Sequence, residues 1–178
     1  MTSEHPDHIQ RRNPLRMAVW GAAGFLLLLP LVAMQFTTEV NWGIMDFVVF
    51  GIMLLTVCGA YELGTRLSGN RRYRLAVGIA LLGVFLLTWM NLAVGIIGIE
   101  NNPVNLLFFA IPMTGLTGAL IARFKARGMA YALVATAAAQ ALIAVIALIV
   151  GWGNVLILTG FFMFLWLTSA YLFRQAAR

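Results

Sequence analysis

The sequence predicts an all-α integral membrane protein, a six-transmembrane-helix bundle with both termini on the cytoplasmic side. Three observations lead there. First, 62% of the 178 residues are apolar and only 10% are charged, against about 25% charged in an ordinary soluble domain. Second, the chain contains long charge-free runs, at 17–38, 75–99, 101–122 and 128–173. A helix needs about 20 apolar residues to cross roughly 30 Å of hydrocarbon, and the last run is long enough for two. Third, the twelve basic residues fall in four clusters that alternate with uncharged or acidic connections. The composition excludes a disordered chain, a disulfide scaffold and a typical soluble enzyme.

The tail, residues 1–13, is polar and is expected to be disordered and cytoplasmic. Residues 14–178 form a single transmembrane domain. Helix 1 is expected at 16–36, with Pro30 bending it. It follows a positive segment and has no clear cleavage motif, so it reads as an uncleaved signal anchor. Helix 2 is expected at 44–64, apolar except for Asp46 and Glu62 near its ends. Helix 3 is expected at 75–97. Helix 4 is expected at 103–122, opened by Asn102 as N-cap and Pro103 at the first helical position, with a second bend at Pro112. Helix 5 at 129–150 is rich in alanine. Helix 6 at 155–173 follows the turn signal Gly151-Trp152-Gly153-Asn154. Barrel strands would alternate in polarity, and these runs do not.

Orientation follows from the basic residues. Arg11, Arg12 and Arg16 precede helix 1, and Arg66, Arg71, Arg72 and Arg74 surround the connection between helices 2 and 3. Arg123, Lys125 and Arg127 lie between helices 4 and 5, and Arg174 and Arg178 follow helix 6. The connections at 37–43, 98–102 and 151–154 contain no Lys or Arg. With six spans all four clusters share one side, which the positive-inside rule assigns to the cytoplasm. The net charge of +6 thus reflects topology and contact with anionic headgroups, not nucleic-acid binding.

Helices 2 and 6 align through Trp42-Gly43 with Trp152-Gly153 and Ala60-Tyr61 with Ala170-Tyr171. That pattern fits a duplicated hairpin, and it fits equally an interfacial belt of aromatic residues.

Few residues could carry chemistry. Both histidines, His5 and His8, are in the tail, and Cys58 is the single cysteine. Intramembrane bis-histidine haem, a cysteine-rich metal site and Cys–His catalysis are therefore excluded within the chain. No cofactor or metal is expected, and the chain does not read as an enzyme. Ionisable and amide side chains inside a membrane are costly, which makes them the functional candidates. They are Asp46, Glu62, Asn91, Glu100, Asn101 and Gln140. Each has an ordinary structural use. Asp46 suits the first turn of a helix. Glu62 can pair with Arg66 one turn later. Asn91, Glu100, Asn101 and Asn105 surround the Asn102-Pro103 cap. Gln140, at the centre of helix 5, can bond to a neighbouring helix. Alternatively, these groups could line an outer vestibule and a path for a cation, proton or polar solute. The small residues Gly115, Gly118 and Ala119, facing the alanines of helix 5, predict that helices 4 and 5 are central and closely packed.

The segments Tyr61-Glu62-Leu63, Trp89-Met90-Asn91, Glu100-Asn101-Asn102-Pro103-Val104-Asn105 and Gly118 through Arg127 resemble those of a family of small, uncharacterised bacterial inner-membrane proteins. The resemblance covers nearly the whole chain after the tail. It implies six helices in the bacterial cytoplasmic membrane and brings no activity with it. The expected role is accessory, structural or assembly, exercised through the lipid bilayer on a second copy or a membrane partner subunit. The alternative is a small transporter or channel subunit.

Overall fold

A computed structural model describes residues 14–178 except Glu100, Gly153 and Asn154, with side chains from Met17 onward. The tail 1–13 lies outside the described residues. All regular elements among those described are helical: α1 (Pro14–Ala33), α2 (Ile44–Leu67), α3 (Arg71–Ala93), a 3-10 helix (Pro103–Phe109), α4 (Ala110–Ile121), α5 (Ala126–Val150) and α6 (Leu156–Ala176). Five stretches are long and apolar enough to cross a membrane: α2, α3, the 3-10 helix with α4, α5 and α6. The apolar part of α1, Met17–Ala33, is shorter. This is the pattern of a multi-pass membrane protein. The chain divides into two compact units, through Cys58 and from Gly59 onward.

In the first unit α1 ends at Ala33, three residues before the expected boundary, and passes into a turn. Trp42 packs edge-on against Phe47 and Phe50, with ring centroids 5.2 and 5.3 Å apart. The start of α2 is fixed from within. Asp46 Oδ2 accepts a hydrogen bond from Gly43 N at 2.8 Å, so the third helical residue reaches back to the residue before the helix, one half of a capping box.

In the second unit the end of α2 lies on α3. A Cβ at Gly64 would stand 2.8 Å from Val77, and one at Gly78 would stand 3.5 Å from the Tyr61 ring. α3 begins four residues before its expected start because Asn70 caps it, its Oδ1 accepting from Arg72 N at 2.9 Å. It also ends early, at Ala93, because Gly95 (φ 77°) and Gly98 (φ 72°) take left-handed conformations that no helix can continue through.

The expected fourth helix is two pieces. Asn102 caps it and Pro103 opens it, but residues 103–109 wind as a 3-10 helix and only Ala110–Ile121 as α. Pro112 has no N–H to give to the carbonyl of Phe108, and its ring crowds that carbonyl. The tighter winding ahead of it relieves the conflict. α4 then closes in a Schellman pair: Arg123 N donates to Leu120 O at 3.0 Å and Phe124 N to Ala119 O at 3.1 Å. Arg123 (φ 48°) and Phe124 (φ 57°) hold left-handed conformations where glycine is usual. The Tyr73 hydroxyl, from α3, donates to Phe124 O at 2.8 Å and holds the turn. Gly151 (φ 77°) closes α5 in the same way, with Trp152 N on Ala147 O at 2.9 Å.

Packing runs in the order α3, α6, α5, α4. The close approach of α4 to α5 is as expected. A Cβ at Gly118 would stand 2.6 Å from the Ala132 Cβ, and one at Gly115 3.0 Å from Thr136 Oγ1. The central position of α4 is not: α6 takes it, beside α5. α6 supplies Phe162, Trp166 and Phe173, all fully buried. Trp166 stacks on Phe162, and Phe173 meets Tyr73 edge-on at 5.0 Å. Small residues mark where helices approach closely. Large aromatics facing a glycine mark a centre as well, and Gly83 of α3 is that glycine: a Cβ there would stand 2.7 Å from the Trp166 ring.

The outward faces are apolar. Leu75 and Leu82 on α3, Leu142 and Ile149 on α5, and Ile157 and Phe164 on α6 are all exposed. Each pair is seven positions apart, on one helical face. In water such patches would drive association; against lipid tails they are in their own solvent.

Candidate functional site

The buried amide side chains of the second unit gather at two levels. At the end of α3, Asn91 and Asn105 are 4% and 3% exposed. Asn105 uses its amide as a substitute for a backbone partner. Its Oδ1 accepts from Ile96 N at 3.1 Å and Ile97 N at 2.8 Å, and its Nδ2 donates to Ile99 O at 2.8 Å. Those groups are orphaned when α3 stops, and buried orphans are costly. Asn91 Nδ2 donates to the backbone carbonyl of Asn105 at 2.9 Å, tying α3 to the 3-10 helix. The loop between them folds tightly enough that a Cβ at Gly95 would stand 2.6 Å from the Ile99 carbonyl. Asn91 Oδ1 is buried without a partner among the described residues.

At mid-height, Gln140 of α5 is 1% exposed. Its Oε1 accepts from Trp166 Nε1 at 3.3 Å. Its Nε2 is buried without a partner among the described residues. On α6, Ser169 Oγ donates to the Ala76 carbonyl of α3 at 2.7 Å. Gly83, which meets Trp166, lies eight positions before Asn91 on α3. That spacing separates the two levels by about 12 Å along the helix.

The remaining candidates are placed as follows. Glu62 Oε1 accepts from Arg66 Nη2 at 2.6 Å, near the last turn of α2. Asp46 belongs to the first unit and is exposed, holding Gly43 N. Asn101 is exposed in the turn before the 3-10 helix. Glu100 lies outside the described residues. Asn91 and Gln140 bond to different partners, the Asn105 carbonyl and the Trp166 indole, and no cluster of metal-ligating side chains occurs among the described residues.

Sequence reasoning left out Trp166, Ser169 and Gly83. The signal for Trp166 was present: a tryptophan ten residues into a span is too deep for the interfacial belt and needs a buried partner for its N–H. Ser169 carries no pattern of its own, because its partner is a backbone carbonyl on another helix.

No family model, curated protein or solved structure matches the chain.

Proposed function

We propose that this is a six-span protein of the bacterial inner membrane, with both termini cytoplasmic, acting as an accessory, structural or assembly component through helix–helix contact. The observation that carries this reading is how the buried polar groups are used. Asn91, Gln140, Trp166 and Ser169 each bond to a neighbouring helix of the same chain, as interhelical ties do in membranes, and Asn105 closes the loop after α3. Glycine use supports it. Gly64, Gly83, Gly115 and Gly118 each meet a close neighbour on an adjacent helix. Small residues let helices approach closely in lipid.

Native mass spectrometry of the protein extracted gently from its own membrane tests this reading. A bound partner subunit at fixed stoichiometry is the expected result. The protein alone, with no partner at any detergent strength, would contradict it.

A second reading, a small transporter or channel subunit for a cation, proton or polar solute, rests on the two orphan amide atoms, Asn91 Oδ1 and Gln140 Nε2. It requires Gln140→Leu to abolish ion or solute flux in proteoliposomes. The accessory reading expects Gln140→Leu to leave partner binding unchanged.

A further inference from the structure

Between α5 and α6, at the end carrying the basic residues, lies an open cleft of about 310 Å³. Its walls repeat one pattern on both helices. α5 contributes Arg127, Tyr131 and Val134; α6 contributes Arg174, Tyr171 and Leu167. On each helix the three residues span seven positions and so share a face. Each face grades from guanidinium through phenol to aliphatic over about 10 Å. That is the gradient of half a bilayer, from phosphate through the interface to acyl chain. Tyr131 and Tyr171 are 67% and 60% exposed, and Val134 and Leu167 are also open.

Charge sets the occupant. Neither Arg127 nor Arg174 takes part in an ion pair among the described residues, unlike Arg66, which Glu62 neutralises. The start of α5 adds to the same field. Its N-cap, Lys125, makes no side-chain capping bond, so the first-turn N–H groups and the positive end of the helix are left to attract an anion.

We propose that this cleft is a binding site for one anionic phospholipid. The phosphate is held between Arg127 and Arg174, the glycerol region lies beside Tyr131 and Tyr171, and an acyl chain runs over Val134 and Leu167. The site rests on α5 and α6 crossing the bilayer, but not on the accessory role, since it reads out as a lipid adduct and not as a protein partner.

The test is lipid titration of the full-length protein by native mass spectrometry, with dioleoyl phosphatidylglycerol and dioleoyl phosphatidylcholine as probes. The expected result is one tight phosphatidylglycerol adduct and no equivalent phosphatidylcholine adduct. Arg127→Gln with Arg174→Gln should weaken that adduct on the order of 20-fold, at about 1 kcal/mol per basic residue. Arg71→Gln with Arg72→Gln, which removes the same charge elsewhere, should leave it intact. Leu167→Trp keeps both guanidiniums and fills the apolar floor, so it should also weaken the adduct, and it decides the matter if the arginine variant does not fold. Equal binding of the two lipids, equal loss in both arginine pairs, or full retention in Leu167→Trp would overturn the proposal. Displacement of the lipid by millimolar inorganic phosphate would assign the arginines to a soluble anion instead.

Discussion

Asn105 shows how one side chain can settle a local fold. α3 stops at Ala93, and the following backbone groups would be stranded near the membrane surface. Two acceptor bonds and one donor bond from a single amide close the loop. Each such bond contributes about 1 kcal/mol net. Asn105→Ala is therefore expected to destabilise the protein by about 3 kcal/mol and to expose the 94–102 loop to protease. Unfolding in detergent with limited proteolysis reads both effects. A shift under about 1 kcal/mol would mean the loop is held by something else. The sequence made this segment conspicuous as a run of amides but gave no way to rank them. Asn102 carries a recognisable cap signal because the pairing is local. Asn105 reaches back to residues 96–99, and no fixed spacing announces that. Asp46 and Glu62 were legible for the opposite reason: their structural partners lie within one turn.

Among the elements, runs of apolar residues were enough to reveal the helices, because the bilayer demands length and composition and little else. Their ends were less legible. Asn70 caps α3 inside what reads as a basic loop. Pro112 divides the fourth span into 3-10 and α parts. The rank of α6 was missed because small-residue patterns announce close approach, whereas α6 is central through bulk. The Gly83–Trp166 contact is the test at this scale. Trp166 is fully buried and stacked on Phe162, so it cannot swing away from a methyl placed 2.7 Å from its ring. Gly83→Ala is expected to cost about 1–3 kcal/mol. Trp166→Phe trims the part of the ring that clashes, so the double variant should cost less than the sum of the singles, with coupling of about 1 kcal/mol. Strict additivity in the same detergent unfolding assay would remove Trp166 as the wedge between α3 and α6.

At the scale of the molecule, long apolar faces accompany a small polar interior, which lies in the second unit. Exposed Leu, Ile and Phe on every long helix suit lipid. The described amides of the core are spent within the chain, apart from two orphan atoms, Asn91 Oδ1 and Gln140 Nε2, on helices that carry no carboxylate. On the proposed topology the four basic clusters orient the chain, and two of their arginines, at the α5–α6 cleft, are the proposed seat of an anionic lipid. All of this depends on the alternation of basic and uncharged connections across the membrane. Cysteine accessibility tests that most directly. In a Cys58→Ala background, Gly69→Cys and Asn101→Cys each place a thiol at an exposed position on either side of α3. In intact cells, a membrane-impermeant maleimide is expected to label Asn101→Cys and to spare Gly69→Cys until the membrane is opened. Labelling of Gly69→Cys in intact cells, or protection of Asn101→Cys, would contradict the orientation and the six-span bundle with it.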